Sequence, residues 1–183
     1  MNVSIFGYGS LLNKKSFEKT LGTEIAEDKF QVTYLHDYVR SWTLYHNLSS
    51  YPVERKRLFP KNKKYIVYLD ISEDKGNKIL GSLVPVTPRQ LENFDMRELN
   101  YFRRNVSNKL EFNHIGTEGH VYIGCPNFKT ELIPVEECVI VKEYIEIVEK
   151  GLDELSGECK KEFWESTLPT DIDIISVPGF YPN

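Results

Sequence analysis

The chain has 183 residues and a formal net charge of -4, with 23 lysines and arginines against 27 aspartates and glutamates. This length corresponds to about one domain, so we expect residues 1–183 to fold as a single domain with a core of its own. A hydrophobic content of 40% argues against wholesale disorder, and the mild acidity argues against nucleic acid as the partner.

The sequence carries no signal for a membrane or for secretion. No apolar run approaches the roughly 18 residues of a membrane-spanning helix, and no basic region followed by an apolar one opens the chain. We therefore expect neither a membrane partner nor a signal peptide. The three cysteines (Cys125, Cys138 and Cys159) are too few and too scattered for a disulfide framework or a zinc site. Buried, reduced thiols explain them better, which predicts a cytoplasmic location.

The predicted elements in the first half are mostly strands. A short strand at 3–6 precedes a helix at 13–21, which Gly22 ends. Four further segments are rich in aromatic and β-branched residues and predict strands, at 30–35, 39–46, 65–71 and 79–86.

The best-marked helix begins in the middle of the chain. The sequence Thr-Pro-Arg-Gln at 87–90 places Thr at the N-cap, Pro at the first helical position and Gln at the third, which is a capping box. We expect this helix to run to about Glu98 or Leu99. Its apolar positions are Leu91, Phe94 and Leu99.

The remaining segments predict strands at 101–106 and 119–124, then two short helices at 142–155 and 158–166, because glycines at 151 and 157 interrupt the helical pattern. The stretch 142–173 contains ten acidic and four basic residues, which we interpret as a solvated helical face. This order of elements is not a βαβ alternation and disfavours a doubly wound sheet. It suggests an α+β fold, built as a small, closed or nearly closed mixed β-barrel with flanking helices.

The first candidate site lies between the first strand and the first helix. It consists of Phe6, Gly7, Tyr8, Gly9, Ser10 and Leu11. Glycines on both sides of a tyrosine allow a ligand to approach the backbone, and successive N–H groups before a helix can bind an anion. Leu at position 12 excludes the dinucleotide fingerprint and the nucleophile elbow, so Ser10 is not a hydrolase nucleophile. On pattern alone, a turn that serves only the fold is slightly the better explanation.

The second candidate is Glu98. It lies two helical turns after Leu91 and continues the apolar stripe of the capped helix. A carboxylate against a core is destabilising unless it is paired or its pKa is raised, and a raised pKa suits a group that acts as base and then acid near neutral pH. For a single glutamate, a frayed helix end or an ion pair with Arg97, Arg103 or Arg104 is the commoner explanation.

Other polar clusters give weaker signals. Six of the ten residues at 55–64 are basic and could bind RNA or phosphates, but a solvated loop between strands explains this run better. The four histidines form no pattern typical of a metal site, so no metal is expected.

The two candidate segments together resemble the γ-glutamylcyclotransferase superfamily. Residues 6–12 are similar to its Tyr-Gly-Ser signature, and Asp95-Met96-Arg97-Glu98 is similar to the segment that holds its catalytic glutamate. The spacing between the segments also suits the family. Weaker similarities are Tyr101, residues 121–124, Tyr144 and Gly151.

The resemblance implies a small mixed β-barrel and an enzyme, a transferase or lyase of glutathione metabolism, that needs no cofactor. The reaction releases 5-oxoproline from a small γ-glutamyl substrate, whose own α-amine attacks the γ-carbonyl, so that no protein nucleophile is required. By the same resemblance Glu98 is the catalytic acid and base, and residues 6–11 form the pocket for the γ-glutamyl group. Their amides would hold either a carboxylate or the developing oxyanion.

One departure leaves the subfamily open. The glutathione-directed branch has a Trp soon after its Tyr-Gly-Ser-Leu, where this chain has Leu12-Asn13, although Arg97-Glu98 resembles that branch. The substrate remains open among γ-glutamyl amino acids, glutathione, γ-glutamylamines and an acyl group of a biosynthetic pathway. The alternative function is a non-catalytic domain that binds a small anion on the same fold.

Overall fold

The computed structural model describes residues 2–181, which form seven strands and five α-helices. The strands are β1 (Asn2–Gly7), β2 (Gln31–Asn47), β3 (Tyr65–Val86), β4 (Tyr101–Asn105), β5 (Thr117–Gly124), β6 (Cys138–Val141) and β7 (Ile174–Ile175). The helices are α1 (Lys14–Leu21), α2 (Val53–Lys56), α3 (Pro88–Arg97), α4 (Lys142–Asp153) and α5 (Gly157–Glu165). The predicted α+β class is confirmed. No helix within residues 2–181 has the length and apolar character needed to span a bilayer.

The strands form one mixed sheet that curls on itself. Its order is β4-β5-β1-β3-β6-β7, and β2 pairs with β3 outside this path. β1 is antiparallel to β3 and parallel to β5. Isolated bridges join Leu35 and Leu44 of β2 to Leu110 and Lys129, which lie on either side of β5 along the chain. These bridges bring β2 round towards the β4–β5 side, as a mixed barrel requires.

The four strand-like segments predicted between residues 30 and 86 form only two strands, so the predicted interruptions are wrong. The register of β2 against β3 shifts beside Asp37, whose φ is 63°, and residues 74–77 of β3 are left out of the pairing. The Asp37 carboxylate accepts a hydrogen bond of 3.1 Å from the N–H of Gly76, which itself has a φ of 90°. The two irregularities therefore face each other, and the pairing continues past them.

Helix α1 ends and helix α3 begins where the sequence predicts. Gly22, with a φ of 72°, ends α1, and the capping box at 87–90 begins α3. One predicted apolar position is wrong, since Leu99 is 64% exposed. The helix ends at Arg97 and the chain changes direction at Glu98, so the apolar stripe does not extend to Leu99.

Helices α4 and α5 match the two helices predicted near the end of the chain, except at Gly151. This glycine lies inside α4 rather than interrupting it. A Cβ at Gly151 would lie 2.6 Å from backbone atoms of Leu12 and Asn13, so the glycine allows α4 to pack closely on the segment between β1 and α1. β6 is absent from the predicted elements, because four consecutive buried residues show neither helical nor strand periodicity.

The basic run at 55–64 is more ordered than the predicted solvated loop. It begins in α2, and two of its lysines make specific contacts. Lys63 Nζ donates to Asp173 Oδ2 at 2.7 Å and to the Cys138 carbonyl at 3.1 Å, while Lys64 pairs with Glu137. These contacts hold the run against β6.

Two hydrophobic clusters meet at the end of β1. The larger cluster packs the curled sheet against α4 and α5, and the smaller one packs β1 against α1 and α3. Leu12 belongs to the larger cluster and Leu11 to the smaller one. The segment that follows β1 is therefore anchored from both sides.

Candidate active site

The Tyr-Gly-Ser turn (residues 8–12) leaves β1 and forms a single 3-10 turn at Ser10–Leu12. Its first hydrogen bond runs from the Leu12 N–H to the Gly9 carbonyl, at 2.9 Å. Because the N–H groups ahead of that bond have no partner inside the turn, Gly9, Ser10 and Leu11 have backbone donors available for other acceptors.

One small cavity, the inner cavity, brings together all the residues that the sequence predicts for the site. It is lined by Phe6, Gly7, Tyr8, Gly9, Ser10, Leu11, Leu69, Glu98, Tyr101, Tyr122 and Tyr144. Its volume is about 40 Å³, and an adjoining outer cleft has a volume of about 700 Å³. Ser10, Glu98, Tyr101 and Tyr144 line both, so these four residues lie at the boundary between the two spaces.

Glu98 reaches the inner cavity from the end of α3. Its N–H donates to the Phe94 carbonyl at 2.9 Å, and its side chain is 15% exposed. Glu98 Oε1 lies 3.4 Å from Arg97 Nε, whereas Arg103 and Arg104, the other predicted partners, pair with different carboxylates. Burial raises the pKa of Glu98 and the Arg97 guanidinium lowers it in part. Of the explanations that the sequence leaves open, the ion pair with Arg97 is therefore present. The frayed helix end with Glu98 in solvent is not, because the side chain is mostly buried.

Arg97 joins the end of α3 to the Tyr-Gly-Ser turn. Its Nη1 donates to Thr20 Oγ1 at 2.7 Å, and its Nη2 donates to Ser10 Oγ at 3.0 Å and to Ser16 Oγ at 3.3 Å. The Ser10 hydroxyl therefore has a guanidinium as its partner rather than a base, which agrees with the prediction that it is not a nucleophile.

Three of the tyrosines around the inner cavity have their hydroxyls bonded to protein acceptors. Tyr8 donates to the Tyr122 carbonyl at 2.8 Å, Tyr101 to the Leu69 carbonyl at 3.0 Å and Tyr122 to Asp95 Oδ1 at 2.6 Å. These bonds fix the walls of the cavity. No sequence pattern marks Leu69 as a site residue, and Tyr122 is marked only by a weak similarity. Apolar and aromatic residues in strands are most often packing residues, so neither stands out.

Tyr144 of α4 faces the Tyr-Gly-Ser turn directly. A Cβ at Gly9 would lie 2.7 Å from the Tyr144 hydroxyl, so a glycine is required for this close approach. Burial raises the pKa of Tyr144, and the nearby Glu98 carboxylate adds to the rise. The Tyr144 hydroxyl is therefore neutral at physiological pH and can donate a hydrogen bond to a group in the cavity.

Comparison with known proteins agrees with this architecture. The sequence matches no protein-family model, and it matches no curated protein. Among solved structures, a γ-glutamyl cyclotransferase superposes with a TM-score of 0.60 at 15% identity, covering 93% of this chain and 90% of that one. This chain has the γ-glutamylcyclotransferase fold. The fold that the sequence resemblance implies is confirmed.

Two further structures share the γ-glutamylcyclotransferase fold. An uncharacterized protein from Homo sapiens has a TM-score of 0.56 at 16% identity and covers 93% of this chain and 90% of its own. YkqA from Bacillus subtilis has a TM-score of 0.57 at 20% identity, and the match covers 90% of this chain but 53% of YkqA.

The outer cleft has two chemically different sets of lining residues. One set is aromatic: the Tyr181 hydroxyl donates to the Tyr68 hydroxyl at 2.8 Å, and the Tyr51 hydroxyl lies 3.2 Å from the same oxygen. The second set is charged and consists of exposed lysines on α1 and α4 (Lys15, Lys19 and Lys150) together with Glu143 and Glu146 of α4. The cleft can therefore contact apolar, hydroxyl-bonding and anionic parts of a ligand.

Proposed function

We propose that this protein is a γ-glutamylcyclotransferase-like enzyme that releases 5-oxoproline from a γ-glutamyl amide. The observation that carries the proposal is that Glu98 and the Tyr-Gly-Ser turn line one cavity, in a chain with the γ-glutamylcyclotransferase fold. These two segments lie far apart in the sequence, and Arg97 holds them together through its contact with Ser10.

In the proposed reaction Glu98 moves the protons. The ionised carboxylate takes a proton from the substrate's α-ammonium, and the freed amine attacks the γ-carbonyl to close a five-membered ring. The amide C–N bond then breaks as the proton on Glu98 passes to the leaving nitrogen. The ring nitrogen gives its second proton to the freed carboxylate of Glu98, which passes it to the released amine, so that a neutral lactam and an ammonium leave. Because the nucleophile is tethered to the carbonyl, the enzyme has to fold the substrate rather than supply a nucleophile.

The Tyr-Gly-Ser turn binds a negatively charged oxygen of the substrate or of the transition state. The N–H groups of Gly9, Ser10 and Leu11, which have no partner inside the turn, donate to a substrate oxygen, either of the carboxylate or of the developing oxyanion. The inner cavity of about 40 Å³ has room for such a group. The leaving amine and whatever it carries then extend into the outer cleft, past Tyr101 and Tyr144.

The deciding experiment compares Glu98→Gln with Glu92→Gln, an exposed glutamate on the same helix. General acid–base catalysis contributes about 10²–10⁴-fold, so we expect Glu98→Gln to lose about that factor in 5-oxoproline release and Glu92→Gln to lose none. Product is measured with γ-glutamyl amino acids, glutathione and γ-glutamylamines as substrates, and circular dichroism checks the fold. Unchanged turnover in Glu98→Gln would remove the proposed role of this residue.

A non-catalytic domain that binds a small anion is the second candidate. The observation that favours it is the size of the inner cavity, since each water-sized group occupies about 10–15 Å³ of such volume and a whole γ-glutamyl group exceeds 40 Å³. This candidate predicts saturable binding of a γ-glutamyl compound with no product from any member of the substrate panel.

The proposal treats the chain as one domain that acts in the cytoplasm. Its three cysteines are free thiols, of which Cys138 is buried and the other two are half-buried. Free thiols suit a reducing compartment.

A further inference from the structure

Arg40 is a completely buried cation next to the site. It lies on β2 and has the largest of the fully buried side chains. Its hydrogen-bond acceptors are all neutral: Nε donates to the Tyr8 carbonyl at 2.9 Å, Nη2 to the Leu80 carbonyl at 2.5 Å, and Nη1 to the Phe163 carbonyl at 3.1 Å and Thr167 Oγ1 at 3.2 Å. Within residues 2–181, no carboxylate lies at ion-pairing distance from this guanidinium.

Stability of the core is a poor explanation for such a residue. A buried charge without a counter-ion loses its hydration, and apolar replacements of buried ionic groups are often as stable or more stable. Burial lowers the pKa of Arg40 to about 9, so the group still carries its charge at neutral pH. The guanidinium carbon also lies 3.6 Å from the centre of the Phe163 ring, which holds it in place from one side.

The Tyr8 carbonyl connects Arg40 to the inner cavity. A trans peptide unit is planar, and its C=O and N–H groups point in opposite directions. Because the Tyr8 oxygen points towards Arg40 Nε, the N–H of Gly9 in the same peptide unit points away from Arg40. Gly9 lines the inner cavity and Arg40 does not, so this orientation presents the N–H on the cavity side.

We propose that Arg40 is a positioning residue that fixes the Tyr8–Gly9 peptide unit so that the Gly9 N–H meets an anionic oxygen of the substrate. The proposal rests on the proposed function. The other donors of the guanidinium are bonded to the Leu80 and Phe163 carbonyls and to Thr167, so its Nε stays directed at the Tyr8 oxygen.

The test compares three variants by kcat and KM for 5-oxoproline release. Arg40→Gln removes the charge and the fork of donors, and we expect kcat/KM to fall about 100-fold, the loss typical of a misplaced catalytic group. Arg40→Lys keeps the charge but has a single donor group, so it should recover about tenfold of that loss. Thr167→Val removes a hydrogen bond on the far side of the same guanidinium without touching Tyr8, so its kcat/KM should stay within about threefold of wild type.

Thermal unfolding separates positioning from packing. We expect Thr167→Val to lower the melting temperature while activity is retained. Arg40→Lys should lose activity even at temperatures well below its melting temperature, where the variant is fully folded. The proposal is overturned if folded Arg40→Gln keeps its kcat/KM within about threefold of wild type, the margin set for the control, or if Thr167→Val loses as much activity as Arg40→Gln.

A measurement on the wild-type protein keeps the proposal testable if the Arg40 variants do not fold. In a 15N-labelled sample titrated with 5-oxoproline, the amide resonance of Gly9 should shift with saturation. A Gly9 resonance that does not move overturns the role assigned to Arg40. By contrast, absence of 5-oxoproline release by wild-type protein from every γ-glutamyl compound refutes the proposed function, and the Gly9 shift then still shows whether the Gly9 N–H, the group that Arg40 is proposed to orient, binds an anion.

Discussion

Burial and an ion pair have opposite effects on the pKa of the Glu98 carboxyl group. The surrounding protein excludes water and raises the pKa, and the Arg97 guanidinium, 3.4 Å away, lowers it. The net direction is upward, which brings the pKa closer to neutrality than that of an exposed glutamate. The two roles that the proposed reaction gives to this residue, base and then acid, both depend on that balance.

The pH dependence of the reaction tests the balance. The ionised form of Glu98 is the base, so kcat/KM should fall as the pH drops through its pKa. Arg97→Gln removes the contribution that lowers this pKa, so we expect the acid limb of the profile to move to higher pH. Arg103→Gln, which removes a partner of Asp95 instead, should leave the limb in place. A limb that moves to lower pH in Arg97→Gln would contradict the assignment.

The same raised pKa predicts an effect on stability. The folded protein keeps the Glu98 proton over a pH range in which the unfolded chain has released it, so stability falls as the pH rises from the unfolded pKa to the folded one. Glu98→Gln has no such proton and should be more stable than wild type at neutral pH, by about 1.4 kcal/mol for each unit of the rise. Urea unfolding measures the difference in stability between Glu98→Gln and wild type at neutral pH and at pH ~4, where the difference should vanish.

The residues that the sequence could identify are those that break a local pattern. Two glycines around Tyr8 and a carboxylate in the apolar stripe of α3 are both unusual, and both segments line the inner cavity. Tyr101 and Tyr144 could not be assigned, because a tyrosine with a packing role has the same local sequence as one that lines a cavity. The part played by Arg40 also depends on its partners in space, since an arginine within a strand carries no mark of burial.

In β2 and β3, the local sequence pattern and the pairing between the strands indicate different numbers of strands. Asp37 and the sequence Asp-Lys-Gly-Asn at 74–77 have the composition of turns, which predicts four strands where two exist. Cross-strand hydrogen bonds on either side keep the pairing intact, and a single sequence does not display such partners. The helices were easier to predict, because α1 and α3 carry their own caps at Asn13 and at 87–90.

The contact between α4 and the Tyr-Gly-Ser turn depends on Gly151. A Cβ there would lie 2.6 Å from backbone atoms of Leu12 and Asn13, which cannot move aside as a flexible side chain could. We expect Gly151→Ala to cost about 1–3 kcal/mol in urea unfolding and to lower kcat/KM, because α4 carries Tyr144 into the inner cavity. Gly157→Ala is the matched control, since a Cβ at Gly157 has no atom within 4 Å. Equal effects of the two substitutions would exclude this explanation.

At the scale of the whole molecule, charge is unevenly distributed. The stretch 142–173 has a net charge of -6 against -4 for the whole chain, so the rest of the chain is slightly basic, at +2. The basic run at 55–64 lines neither the inner cavity nor the outer cleft, so its lysines have no part in the proposed reaction. The lysines of α1 and α4 do line the outer cleft, where an anionic substrate would enter.

A double variant, Lys15→Glu with Lys19→Glu, tests this entrance. Exposed charges steer a charged ligand over about one Debye length, so we expect KM to rise about tenfold at low salt while kcat is retained. The difference from wild type should shrink as the ionic strength increases. Lys75→Glu, an exposed position in the irregular part of β3, is the control and should leave KM unchanged. A fall in kcat with KM unchanged would contradict a role in steering.

The packing of Trp42 gives the protein an optical signal of its own. Trp42 is 8% exposed, and its ring centre lies 6.1 Å from that of Tyr144, whose hydroxyl faces the Tyr-Gly-Ser turn. The chain has only one other tryptophan, Trp164, which packs against Phe163 in α5. A ligand that displaces Tyr144 therefore changes the surroundings of one of just two indoles, and its arrival can be followed through intrinsic fluorescence without any label.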